Sequence, residues 1–231
     1  AHFNELDSWE AAITPQTCAV LLELVQGEGG VVPIDPAFFH GLAALCQRHG
    51  LLLMIDEVQT GLGRTGKYFA WEHLGIKPDI MTLAKALGGG LPLGVMLAKE
   101  EVATAFEPGD HSTTVGGGGM AFAAALAILK IMEEEKLPER AARLGAELKA
   151  EFQSWQQELP VIEGVRGWGL LLALELSIPA QPVMRACLEQ GLIINAVSPT
   201  ALRLLPPLNI SKADLDRGLT ILKQALATAA K

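Results

Sequence analysis

The sequence predicts an α/β fold, a mainly parallel sheet flanked by helices and followed by a smaller α+β unit. Three observations carry this. Short, continuous apolar runs ("CAVLLELV", "LLLMIDE", "PDIMTLA", "LGVMLA") have strand length without alternation, the pattern of strands buried on both faces. Helical or turn-rich stretches separate them, as parallel neighbours require. Past Pro138 the order changes to single strands and helices in close succession.

Taken in order, "CAVLLELV" is the first strand. "PAFFHGLAALCQRHG" follows as a helix, with Pro in its first turn and Gly at its end. "LLLMIDE", "PDIMTLA" and "LGVMLA" are three further strands. "MAFAAALAILKIMEEEKLPERAARLGAELKAEFQSWQQEL" is helical and breaks near Pro138. The smaller unit then reads as strand "GLLLALEL", helix "PVMRACLEQG", strands "LIINAV" and "ALRLLPP", and helix "KADLDRGLTILKQALATAAK". The boundary is expected between Glu133 and Pro138, dividing the chain into 1–135 and 136–231.

The 231 residues are 50% apolar and 19% charged, a globular composition. A formal charge of −8 argues against a nucleic-acid surface, which needs a basic stripe. Cys18, Cys46 and Cys187 form no CxxC pair, so a reduced, cytoplasmic chain is expected. The histidines show no metal-ligand spacing, and His40, His49 and His73 read as ordinary helix or helix-end residues. No apolar run has the length of a membrane span, and no signal-peptide pattern opens the sequence.

Ligands of open parallel sheets sit at the carboxyl ends of strands. Asp56 directly follows "LLLMI", and Lys85 follows "DIMTLA". Each alone has an ordinary reading, a carboxylate capping the next turn and a surface lysine. Together they suggest pyridoxal phosphate, whose aldehyde takes a lysine amine and whose pyridine nitrogen needs an acidic partner to stay protonated. The glycines at 88–90 let the backbone turn sharply and approach a cofactor. "GLGRTG" (Gly61–Gly66) matches a dinucleotide fingerprint, but polar "EVQT" separates it from the strand and only a poor helix follows. "DHSTTVGGGG" offers hydroxyls and backbone N–H groups for a phosphate, or simply a flexible helix entry. No G-x-S-x-G occurs, which disfavours an α/β-hydrolase. Arg203, inside an apolar strand, must be paired, either with a substrate carboxylate or with an internal acid such as Glu28.

These stretches resemble a known family. "LVQGEGGVVP", "LLLMIDEVQTGLGRTGKYFAWEHLGIKPDIMTLAKALGGGLPLG", "HSTTVGGGG" and "LRLLPPLNIS" follow, in order, the motifs of the class-III (ornithine-type) aminotransferases, closest to their acetylornithine branch. The resemblance covers nearly the whole chain. It implies the fold type I architecture of pyridoxal-phosphate enzymes, with residues 1–135 in the large cofactor domain and 136–231 forming the small domain. It implies that Lys85 carries the cofactor and moves the substrate proton, and that Asp56 holds the pyridine nitrogen. Val58 packs on the ring, Gln59 approaches its hydroxyl, and Thr114 reaches the phosphate in a neighbouring subunit of a homodimer. Glu28 and Arg203 are implied to lie where an amino donor and 2-oxoglutarate alternate. The reaction implied is transfer of the terminal amine of N2-acetylornithine to 2-oxoglutarate, in arginine biosynthesis. Ornithine, succinylornithine, 4-aminobutyrate or a lysine-pathway amine stay open as donors, as does a catalytically incomplete half-subunit.

The sequence departs from the family pattern at Leu24 (usually Pro), Val115 (usually Phe) and Gly118-Gly119 (usually Asn-Pro). The last change loosens a helix entry near Thr114. Family members also carry roughly as much again before the first strand, including a phosphate loop, a ring-stacking aromatic and a substrate arginine. Ala1 is therefore expected to lie inside a large domain, in a chain that is the C-terminal part of an aminotransferase.

Overall fold

The structure, a computed structural model, describes residues 1–113 and 117–230. In chain order the elements are α1 (Leu6–Glu10), β1 (Ala19–Leu22), β2 (Val25–Gln26), β3 (Val32–Pro33), α2 (Pro36–His49) and β4 (Leu52–Asp56). Next come β5 (Ile80–Leu83), β6 (Val95–Ala98), α3 (Glu100–Ala103), α4 (Gly119–Glu134) and α5 (Leu137–Glu158). β7 (Ile162–Trp168), β8 (Leu171–Leu176), α6 (Ala180–Glu189), β9 (Asn195–Ala196), β10 (Ala201–Leu204) and α7 (Lys212–Ala229) complete the series. Short 3-10 turns occupy Ala70–His73 and Lys85–Gly88.

Two compact units result. The first holds residues 1–24, 34–62 and 67–136, the second 25–33, 63–66 and 137–231. The chain thus changes unit between Lys136 and Leu137, close to the expected boundary, but two earlier segments also join the second unit. A division by sequence position alone overlooks both.

In the first unit, β1, β4, β5 and β6 form one sheet in that order. β1–β4 and β4–β5 are parallel, whereas β5–β6 is antiparallel. The expected run of parallel strands therefore ends at β5. Residues 84–94 contain one 3-10 turn and no crossover helix, too little chain to return a strand in parallel. Burial on both faces is also not met: Leu21, Met96 and Leu97 are 57%, 45% and 43% exposed. Met96 and Leu97 are consecutive in β6, so the exposure falls on both faces of this edge strand. α2 buries Phe38, Phe39, Leu42, Leu45 and Cys46 at helical spacing. Asp35 caps α2 by accepting from the Phe38 N–H at 2.8 Å, and left-handed Gly50 (φ 64°) ends it.

In the second unit, β7, β8, β10 and β9 form an antiparallel sheet, and β2 pairs β3 in a small hairpin. β7 has no counterpart among the predicted strands. Its sequence, "IEGVRGW", is broken by glycines and charges, and its pairing with β8 carries an irregularity at Ile162–Gly164. "LIINAV" yields only the two-residue β9. Phe152 and Trp155 of α5, Leu172 and Leu174 of β8, and Leu222 and Leu226 of α7 are buried in one core. Gly145 lets α5 approach the β7–β8 turn: a Cβ there would lie 2.2 Å from the Gly169 carbonyl oxygen.

Candidate active site

The first unit presents a carboxylate and an amine at the same end of adjacent parallel strands. Asp56 closes β4 and is the register partner of Thr82 in β5. Lys85 lies three residues beyond Thr82, at a left-handed φ of 47° that is uncommon for a non-glycine residue. Its side chain is exposed. Gly89 and Gly90 (φ 59° and 98°) then turn the chain, a conformation that glycine accepts without strain. Asp56 is half-buried, and its Oδ1 accepts from the Val58 N–H at 2.8 Å. Val58 and Gln59, both half-buried, follow in the same turn.

Glu57, which the sequence analysis does not single out, anchors this turn. It is 1% exposed. Its Oε2 accepts from the Thr60 hydroxyl at 2.5 Å and its Oε1 from the Trp71 N–H at 3.1 Å. The Glu57 N–H donates to the Thr82 carbonyl at 3.0 Å. Burial raises its carboxyl pKa, and hydrogen bonds from Thr60, Ala70 and Trp71 only partly oppose this.

A second cluster lies in the second unit. Arg203 is 8% exposed in mid-β10, and its Nη1 donates to Glu28 Oε1 at 2.7 Å and to the Gly27 carbonyl at 3.1 Å. Of the two readings left open for Arg203, the structure contains the internal pair. The pair is lopsided, because the Arg203 side chain is 9% exposed and that of Glu28 is 76% exposed. Arg166 holds the same turn, donating to the Gly30 carbonyl through Nε at 3.0 Å and Nη2 at 2.8 Å. Arg166 in turn pairs with Glu175, which also accepts from the Thr200 hydroxyl. Burial pushes the Glu175 carboxyl up, but Thr200 and Arg166 outweigh it and the net shift is downward. Arg166, Glu175 and Thr200 are absent from the sequence-based set. The lone acid in "LLALEL" is the signal that points to them.

"GLGRTG" has a packing role. Arg64 Nη1 donates to the carbonyls of Leu170 (3.1 Å) and Pro206 (2.6 Å), while the Leu170 N–H donates back to the Arg64 carbonyl at 2.9 Å. Burial lowers the Arg64 pKa to about 10, which leaves it charged at neutral pH. A Cβ on Gly169 would fall 2.4 Å from the Thr65 carbonyl carbon, so this stretch is packed against protein. Burial raises the Cys46 thiol pKa and raises that of Cys187 to about 11, which keeps both protonated near neutrality. Thr114 and Val115 lie outside the described residues. Gly118 precedes α4 in extended conformation, and Gly119 is its first residue. Among the described residues, no group of His, Cys, Asp and Glu is arranged to hold a metal ion, and no helix is long and apolar enough to cross a membrane.

The model of the aminotransferase class-III family matches residues 1–226. The chain belongs to the class-III aminotransferases. Over 227 residues it is 47% identical to an acetylornithine aminotransferase of Gloeobacter violaceus, covering 97% of this chain and 56% of that protein. It is 45% identical over 224 residues to the acetylornithine aminotransferase of Streptococcus mutans, covering 97% and 59%. Among solved structures, the N-acetylornithine aminotransferase of Stenotrophomonas maltophilia superposes with a TM-score of 0.89 at 36% identity, over 100% of this chain and 63% of that one. The chain therefore spans little more than half the length of the curated relatives it matches. The fold is that of the type I pyridoxal-phosphate enzymes, and the family depends on that cofactor. The donor set fits it, with a carboxylate for a pyridine nitrogen and a primary amine for an aldehyde on neighbouring strand ends.

Proposed function

We propose that the full-length protein is a pyridoxal-phosphate-dependent aminotransferase. It transfers the terminal amine of N2-acetyl-L-ornithine to 2-oxoglutarate, giving N-acetyl-L-glutamate 5-semialdehyde and L-glutamate. The supporting observation is the placement of Asp56 and Lys85 at the ends of adjacent, in-register parallel strands. The acetylornithine substrate is favoured because the relatives of 47% and 45% identity carry that name. An ornithine δ-aminotransferase structure of Plasmodium falciparum stands at 37% identity, TM-score 0.91, over 99% of this chain and 61% of that one.

When bound, the cofactor supplies an electron sink for the carbanion formed at the substrate carbon. Lys85 would hold the cofactor through its aldehyde, and its amine would carry the proton taken from the substrate carbon. Asp56 keeps the pyridine nitrogen protonated. Its bond to the Val58 N–H fixes one carboxylate oxygen, and the other would serve the pyridine nitrogen. Val58 would pack on the ring face and Gln59 would orient the ring hydroxyl. Thr114 holds the phosphate in the neighbouring subunit of a homodimer. Arg203 receives the oxo-acid carboxylate, and Glu28 occupies Arg203 when the donor brings no carboxylate to that position. Residues 1–135 would supply this part of the large cofactor domain and residues 136–231 the small domain. We place the enzyme in the cytoplasm, in arginine biosynthesis.

Borohydride reduction tests the assignment of Lys85. The wild-type protein should retain cofactor on the peptide that contains Lys85, and Lys85→Ala should retain none. Covalent retention by Lys85→Ala overturns the role given to this residue. Assays with acetylornithine, ornithine, succinylornithine and 4-aminobutyrate against 2-oxoglutarate should give the highest kcat/KM for acetylornithine, and another order overturns the substrate.

A further inference from the structure

We propose that Glu57 is a positioning residue for cofactor binding, setting the orientation of Asp56, Val58 and Gln59 from behind the turn that carries them. This rests on the cofactor site proposed above and adds a residue to it.

Glu57 lies between Asp56 and Val58, and on a strand end successive side chains point to opposite sides. Asp56 is half-buried at the strand end, while Glu57 is buried to 1% exposure. Its groups bind three separate pieces of the first unit. The N–H donates to Thr82 of β5, the strand that leads to Lys85. Oε2 closes a ring onto the hydroxyl of Thr60, itself 0% exposed. Oε1 takes the Trp71 N–H at the start of the 3-10 turn Ala70–His73.

The carbonyl of Glu57 also accepts from the Gly61 N–H at 2.9 Å. A Cβ on Gly61 would come within 2.8 Å of that oxygen, so the turn is drawn tightly around Glu57. The segment 57–61 therefore has little freedom to rotate about its strand while these bonds hold. Rotation would swing the free oxygen of Asp56 away from a ring nitrogen and lift Val58 from a ring face. Burial also resists ionisation of this carboxyl, so its hydrogen bonds are made away from competing water. The alternative is a carboxylate that only caps the 3-10 turn, stabilising the fold without acting on the cofactor.

The test uses the full-length protein and three variants, Glu57→Ala, Glu57→Gln and Thr60→Val. It compares the dissociation constant for pyridoxal phosphate of the apoprotein, the pH titration of the bound cofactor's absorbance, and the melting temperature of the apoprotein. Glu57→Ala should weaken cofactor binding about tenfold or more, the usual scale for residues that orient a ligating group, and should shift the absorbance titration. Glu57→Gln keeps an acceptor for Trp71 and should restore both toward wild type. Thr60→Val keeps the side-chain shape, removes one bond, and should move both in the same direction by less. It also keeps the inference testable if Glu57→Ala does not fold.

Altered melting temperatures in Glu57→Ala and Thr60→Val, with unchanged dissociation constant and titration, would reduce Glu57 to a cap and overturn the inference. So would a Glu57→Gln protein that binds as weakly as Glu57→Ala. Failure of the wild-type protein to bind pyridoxal phosphate would instead overturn the proposed function, and this inference with it.

Discussion

Glu57 and Glu175 are partly or fully buried acids whose surroundings push them in opposite directions. Burial raises the Glu57 carboxyl above its ordinary value of 4.5. The folded state then holds its proton longer than the unfolded state does. The stability this contributes is complete below pH 4.5 and lost as pH rises through the folded pKa. Relative to wild type, Glu57→Gln should therefore gain stability as pH rises above 4.5, read from urea midpoints at successive pH values. Glu175 has the reverse sign. Its lowered pKa contributes stability above 4.5 that is lost on acidification, so the wild-type advantage over Glu175→Gln should shrink as pH falls below 4.5. At the Arg203–Glu28 pair, Glu28→Gln should remove the competitor for a substrate carboxylate. KM for 2-oxoglutarate should fall, with kcat for the amine half-reaction falling more than kcat for the oxo-acid half-reaction. Steady-state kinetics on both half-reactions check this. Asp56 and Lys85 were legible because a charge at the end of an apolar run stands out in one dimension. Glu57 was not, because its partner Trp71 is 14 residues away and only the fold joins them.

At the scale of elements, glycine placement decides how closely α5 can lie against the β7–β8 turn. A Cβ on Gly145 would sit 2.2 Å from a backbone oxygen, which cannot rotate aside as a side chain can. Gly145→Ala should cost about 1–3 kcal/mol, the usual scale of overpacking, and lower the denaturation midpoint of the second unit. Gly218 in α7 offers the contrast. Its added Cβ would meet only the Leu192 Cδ1 atom, at 3.3 Å, the movable end of a side chain. Gly218→Ala should be neutral or stabilising by up to about 1 kcal/mol through helix propensity. Equal losses at both positions would show that the approach of α5 is not what Gly145 serves. Strand existence was legible wherever an apolar run dominates the strand, as in β4, β5 and β8. The direction of β6 and the existence of β7 were hidden, the first in a connection too short for a crossover, the second in glycines and in an arginine whose partners, Glu175 and the Gly30 carbonyl, only the fold brings to it.

At the scale of the whole molecule, the chain does not divide at a single point, although a shift in pattern near Pro138 suggests that it does. Hydropathy reads where one type of element gives way to another. It does not register an arginine whose partners lie more than 100 residues away. Arg64 supplies the carbonyls of Leu170 and Pro206 with a donor, and its own carbonyl takes the Leu170 N–H. Gly30 receives two bonds from Arg166, and Gly27 and Glu28 receive Arg203. A fragment of residues 137–231 lacks every one of these partners. It keeps the residues of the four-stranded sheet and its main core, but Arg203 loses both the Glu28 carboxylate and the Gly27 carbonyl, and Leu171 and Ala173 lose Val25 and Val31. The isolated fragment should therefore unfold at a lower urea concentration and less cooperatively than the same residues in the 231-residue chain, as followed by the fluorescence of Trp155 and Trp168 with Trp9 and Trp71 replaced by Phe. Arg64→Ala in the whole chain should shift the same signal in the same direction by less, since it removes one of the three attachments. If the fragment keeps the midpoint and slope of the whole chain, the excursions at 25–33 and 63–66 contribute nothing to the second unit, and the contiguous division read from the sequence is the physical one.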